Sequence, residues 1–213
     1  MSNLIDYYRA RSEEHDAVYA RDERQGDIGI VMARLRDHLT DRHVLEVAAG
    51  TGFWTETYAH AVRSVLVTEI SPETLTVAER RLDWPDHVSF AIANAFAPGR
   101  HDVDACFVGF FWSRLLRRDI ARFLSGLAIA APGARLVVVD NRYIAGSSPP
   151  ISRTDEYGNT YQQRQQRDDP TWEVLANYPT PAQVRADLHA VADDVEVEEL
   201  TYYWIATANL RGR

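Results

Sequence analysis

His43-Val44-Leu45-Glu46-Val47-Ala48-Ala49-Gly50-Thr51-Gly52-Phe53-Trp54 is the stretch on which the reading of the whole chain turns. A short apolar run ends in small residues and two glycines, and an apolar segment follows. That order predicts a buried strand over 44–47, a tight turn, and a helix whose N-terminus faces a ligand. Gly50 and Gly52 permit φ values closed to other residues. They also remove the Cβ atoms that would hold a ligand away from the backbone. An ordinary strand-to-helix turn reads the same way, so the rest of the chain must assign the ligand.

Upstream, Ile28, Val31, Met32, Leu35 and Leu39 recur at helical spacing and predict a helix over 27–39. Residues 3–25 are polar but carry Tyr7, Tyr8 and Tyr19. We read 1–26 as a helical segment that lies across the site as a lid or anchors on the core. Downstream, 64–69 reads as strand two, ending at Glu69. Ser71 and Pro72 then supply an N-cap and a first-turn proline. Strand three is 88–92, with Asn94-Ala95-Phe96 just past its end. Strand four is 103–108, running into Gly109-Phe110-Phe111-Trp112-Ser113. A helix through Ile120, Phe123, Leu124 and Leu127 leads to strand five, 136–139, ending at Asp140-Asn141.

Alternating strands and helices predict a Rossmann-like, doubly wound α/β fold with a mostly parallel sheet, whose ligands bind at the C-terminal strand ends. Residues 142–179 break the rhythm and read as an inserted hairpin or lid. The strand at 160–165 turns at Asp168-Asp169-Pro170 into 172–175. A helix over 180–192 and two strands, 195–200 and 202–210, finish a single domain spanning 1–213.

The formal net charge of −8 argues against non-specific binding to nucleic acid or an anionic membrane surface. Cys106 is the one cysteine, so no intrachain disulfide forms; we read it as a small buried hydrophobe in a reducing compartment. No apolar run approaches the ~20 residues of a membrane span, and the N-terminus has no signal-peptide core. The expectation is a cytoplasmic protein with a small-molecule partner, as monomer or homodimer.

Glu69 stands 17 residues after Gly52, where nucleotide-binding α/β folds place an acid to accept bonds from ribose hydroxyls. A dinucleotide fingerprint would want a third glycine where Thr55 stands, and Glu46 would repel a pyrophosphate while suiting an ammonium group. A dehydrogenase is therefore disfavoured. Glu46-Val47-Ala48-Ala49-Gly50-Thr51-Gly52 resembles the first motif of class I S-adenosylmethionine-dependent methyltransferases, with Ala48 in place of the usual glycine. The chain further resembles small bacterial members of that group through Tyr7-Tyr8-Arg9-Ala10, Glu23-Arg24-Gln25, Asp140-Asn141-Arg142-Tyr143 and Gly158-Asn159-Thr160-Tyr161-Gln162.

The resemblance implies S-adenosyl-L-methionine as cofactor, S-adenosyl-L-homocysteine as product, and a reversed last strand. It implies cofactor contacts at Tyr8, Tyr19, Glu46, Ala48, Gly50, Gly52, Thr55, Glu69 and Ile70. Asn94, Ala95 and Phe96 would bracket the adenine, and Gly109 and Phe110 would lie along the methionine part. Candidate acceptor contacts are Phe111, Trp112, Arg114, Arg142, Tyr143 and Tyr161. Methyl transfer needs mainly an aligned nucleophile and a dry site. Candidates for any acid or base are Tyr8, Arg114 and Tyr143. No metal is expected: catechol-type relatives that hold a divalent metal on a pair similar to Asp140-Asn141 also use an acid at the end of strand four, where this chain has Gly109-Phe110. The expected reaction is transfer to N or O of a small heteroaromatic or anionic molecule. The alternatives are a carboxyl O-methyltransferase and a cofactor-binding protein without transfer activity.

Overall fold

The computed structural model describes residues 15–164 and 172–212. Two short 3-10 helices, His15–Ala20 and Asp22–Arg24, lead into helix α1, Gln25–Leu39. Helix α1 buries Ile28, Val31, Leu35 and Leu39, the stripe that the spacing predicts. Strand β1 (His43–Val47), helix α2 (Phe53–Tyr58) and strand β2 (Ser64–Glu69) follow. Helix α3, Pro72–Arg80, starts at Ser71, whose hydroxyl accepts the Thr74 N–H, with Pro72 in the first turn. Strand β3 (Val88–Ile92), strand β4 (Ala105–Gly109), helix α4 (Ile120–Ala130) and strand β5 (Arg135–Asn141) complete the alternating part.

Strands β6 (Ile151–Thr154), β7 (Thr160–Arg164) and β8 (Trp172–Leu175) form the insertion. Helix α5 (Pro181–Leu188) and strands β9 (Ala192–Glu199) and β10 (Tyr203–Leu210) close the chain. Helix α5 opens on a reciprocal capping box between Thr180 and Gln183.

The main sheet runs β3-β2-β1-β4-β5-β10-β9. Neighbours from β3 to β5 are parallel, and β10 lies antiparallel between β5 and β9. The last strand is thus reversed, as expected. Strand order changes direction between β1 and β4, which opens a crevice beyond their C-terminal ends. Both sheet faces are covered, so the central strands β4 and β5 read as unbroken apolar runs over 105–108 and 136–139. Leu45, Val47, Leu136 and Val138 face α4 and α5 with Phe123, Leu127 and Leu188. Val44, Val137 and Val139 face α1 with Leu35 and Leu39.

The expected hairpin is β7 with β8, and β6 extends it to a three-stranded antiparallel sheet, β6-β7-β8. Every residue of β6 is exposed, so its sequence carries no alternation to betray a strand. Between residues 15 and 24 the chain forms 3-10 turns in place of a regular helix. The turn expected at 168–170, together with Tyr7 and Tyr8, lies outside the described residues.

Candidate functional site

The turn after β1 uses left-handed backbone three times: Ala48 at φ 57°, Gly50 at φ 60° and Gly52 at φ 76°. A Cβ at Gly52 would lie 3.2 Å from the Cβ of Ala78, so this glycine also lets α3 approach the turn. Ala48 does have a Cβ, and holding alanine in that region costs about 1–2 kcal/mol. Its glycine counterpart in the family motif thus has a physical reason. At the end of β4, a Cβ on Gly109 would come 2.9 Å from the Phe107 ring.

Glu69, at the end of β2, reaches across the crevice. One carboxylate oxygen accepts from the N–H groups of Ile70 (2.8 Å) and Ser71 (3.0 Å), and the other from Gly50 (3.1 Å). The acid is therefore fixed to the glycine turn itself, with lone pairs left for a ligand's hydroxyls. Glu46 behaves differently. It is fully buried and accepts the hydroxyls of Thr55 (2.7 Å) and Tyr58. Burial raises its carboxyl to about 7, against the lowering effect of those two bonds.

A cavity of about 580 Å³ opens beyond these strand ends. Ala48, Gly50, Glu69 and Ile70 line one end. Asn94, Ala95 and Phe96 line the next part, with Gly109 and Phe110 beside them. Asn94 is exposed, and its side-chain oxygen accepts the Phe96 N–H at 3.0 Å, which shapes this loop. Tyr19 roofs the glycine end. It stacks on Phe53 at 4.4 Å and meets Trp54 and Phe110 edge-on at 5.1 and 5.4 Å.

The far end of the cavity is built jointly by the loop after β4 and the insertion. Phe111, Arg114, Leu115 and Leu116 come from the loop, and Tyr161, Glu173 and Leu175 from β7 and β8. Arg114 donates to the Leu175 carbonyl at 2.8 Å, tying the two together. Tyr161 donates its hydroxyl to Asp155 at 3.1 Å, and Arg153 lies 3.8 Å from its ring centre while pairing with Glu173. Asp140 is buried beneath the loop and accepts the N–H groups of Ser113 (2.7 Å) and Asn141 (2.6 Å). Burial raises its carboxyl, opposed by these bonds and by the Arg114 charge. Asp140 thus acts as an acceptor that shapes the loop, and among the described residues no group of three His, Cys, Asp or Glu is placed to hold a metal.

Six sequence candidates do not line the cavity. Glu46 and Thr55 bond each other behind the turn, and Gly52 packs against Ala78. Trp112 is buried edge-on to Trp204, 5.7 Å away. Arg142 is bonded to the Leu200 carbonyl and paired with Glu199 at 3.1 Å, away from the cavity. Tyr143 packs on Tyr178 at 5.4 Å. Tyr8 lies outside the described residues. Wall residues that the sequence reading did not single out include Thr51, Phe53, Trp54, Asp119 and Arg122. The first three were legible in principle, because Thr51 stands between the two glycines of the turn and Phe53 and Trp54 open the helix that follows it. Asp119 and Arg122 enter only through the tertiary placement of α4.

No protein-family model matches the chain, and a search of curated proteins found no match. Solved structures do match. DhpI in complex with SAH superposes at TM-score 0.80 with 24% identity, over 100% of this chain and 97% of that one. A DhpI–SAM–HEP complex gives 0.77 and 24%, over 97% and 96%. The 1,6-didemethyltoxoflavin-N1-methyltransferase of Burkholderia thailandensis, with 1,6-didemethyltoxoflavin and S-adenosylhomocysteine bound, gives 0.63 and 14%, over 99% and 88%. The chain therefore has the class I S-adenosylmethionine-dependent methyltransferase fold.

Proposed function

We propose that this protein is an S-adenosylmethionine-dependent methyltransferase acting on N or O of a small molecule. The observation that carries the reading is Glu69, held by three backbone N–H groups at the mouth of a glycine turn, inside a cavity at the switch point of this fold. An acid fixed there suits ribose hydroxyls. Asn94, Ala95 and Phe96 would hold the adenine, and Gly109 and Phe110 the methionine portion. The bound cofactor supplies an electrophilic methyl group, so the hard chemistry is its own. The chain's residues position the acceptor and keep water out. Tyr19, Phe53 and Trp54 close the glycine end, while Phe111, Arg114, Tyr161 and Leu175 enclose the acceptor end.

Arg114 gives the acceptor end a fixed cation, which favours an anionic acceptor and supports carboxyl O-methylation as a second reading. Arg142 lends no support to it. The test is incubation with S-adenosylmethionine and a panel of carboxylic acids, phenols and heteroaromatic amines, followed by mass spectrometry. Formation of S-adenosylhomocysteine that depends on one acceptor class supports the transfer reading and names the class. Binding without turnover across the panel would favour a cofactor-binding protein without transfer activity.

A further inference from the structure

The segment His15–Ala20 lies over the glycine end of the cavity through side-chain contacts that share one pattern. Asp16 accepts the Thr51 hydroxyl at 2.7 Å, and Thr51 lines the cavity. The other Asp16 oxygen meets the guanidinium of Arg81, which is also bonded to Glu56 of α2 at 2.8 Å. Arg81 lies just past the end of α3 and outside the cavity wall, and its guanidinium carbon sits 5.3 Å from the centre of the Phe53 ring. Tyr19, three residues after Asp16, stacks on that same ring and is 7% exposed. Further along, Arg21 and Arg24 reach Ser147 at the entry to the insertion, at 3.1 and 3.2 Å.

A segment of 3-10 turns has little backbone stability of its own, so its placement depends on side-chain contacts, these among them together with the Gln25 amide on the Tyr19 carbonyl at 2.8 Å. We propose that Asp16 and Arg81 form a latch that positions Tyr19 and Thr51 over the bound cofactor and sets how long it stays. Both are positioning residues, acting through the groups they hold. The inference rests on the cofactor reading given above. The latch is a partly exposed ion network, with Asp16, Arg81 and Glu56 side chains 29%, 21% and 43% accessible, so salt weakens it.

The test is stopped-flow release of S-adenosylhomocysteine from the full chain, with Asp16→Asn, Arg81→Gln and the double variant. Each single variant is expected to speed release about fivefold, the scale of one partly exposed charged contact. The double variant should be no faster than the singles, because one latch has been opened twice. Raising salt should speed release from the parent protein and leave the variants nearly unchanged. A merely structural role would lower thermal stability without this salt signature. Release at the parental rate in both single variants, or fully additive effects, would overturn the latch while leaving the cofactor reading intact. Absence of S-adenosylhomocysteine binding by the parent protein would overturn both.

Discussion

Ala48 is the residue where sequence and geometry disagree most openly, since an alanine holds a left-handed φ of 57° in the first turn of the site. Glycine adopts that conformation without the Cβ clash, although it loses more freedom on folding. Ala48→Gly is expected to raise the unfolding free energy by about 1 kcal/mol. A urea denaturation series checks this, and an unchanged or lower midpoint would contradict it. Glu46 carries a pH signature. Its carboxyl titrates near 7 when folded, against an ordinary value of 4.5. The native state therefore holds this proton more tightly than the unfolded chain. The associated stability is complete below pH 4.5 and is lost as pH rises through 7, in total about 3 kcal/mol. Glu46→Gln should flatten the denaturation free energy across that window, and parallel curves for variant and parent would refute the assignment. The identity of such residues was legible at this scale, but their direction was not. Trp112, Arg142 and Tyr143 all stand beside strand ends, yet each turns to a protein neighbour, because adjacency in sequence does not fix which way a side chain points. Glu69 was legible because a residue ending a strand beside a glycine turn has few other places to go.

The insertion is the element whose role the chain's rhythm concealed. The Gly158-Asn159-Thr160-Tyr161-Gln162 motif now has a structural account. Buried Asn159 accepts the Arg117 N–H at 2.8 Å, and Gln162 donates to the Pro149 carbonyl (2.6 Å) and to the Tyr178 hydroxyl (2.7 Å). Asn177 completes the anchor. Its amide donates to the Leu115 carbonyl at 2.8 Å and accepts the Thr160 N–H at 2.8 Å. The Asn159 and Asn177 bonds fasten the three-stranded sheet to the loop that carries Arg114. Asn177→Ala strands buried partners on both sides and should cost about 2 kcal/mol of stability. Because β7 and β8 wall only the far end of the cavity, where we propose the acceptor binds, that variant should raise KM for the acceptor several-fold with little change in S-adenosylhomocysteine affinity. Steady-state kinetics with calorimetry separates the two, and equal loss of both would show that the insertion supports the cofactor end as well. The alternating strands and helices were readable from apolar spacing, since each must bury a face. An exposed strand such as β6 has no such requirement and leaves no trace.

The molecule as a whole brings four strand ends to one crevice, and that convergence follows from the order β3-β2-β1-β4-β5. Right-handed crossovers and the reversal of direction after β1 place the glycine turn, Glu69, Asn94 and Gly109 side by side. The sequence made this legible because each site residue follows immediately on an apolar run. The far end of the cavity, where we propose the acceptor binds, was not legible, because it is assembled from a loop, an insertion and α4 that meet only in three dimensions. The central claim is that this crevice holds a phosphate-free adenosyl cofactor by the Glu69 carboxylate. Calorimetric titration with S-adenosylhomocysteine, and with NAD as control, tests it most directly on the parent protein and on Glu69→Gln. The account predicts saturable binding of S-adenosylhomocysteine, a loss of at least about tenfold in affinity when the Glu69 charge is removed, and no binding of NAD. Failure of the parent protein to bind S-adenosylhomocysteine, or binding indifferent to Glu69, would contradict it.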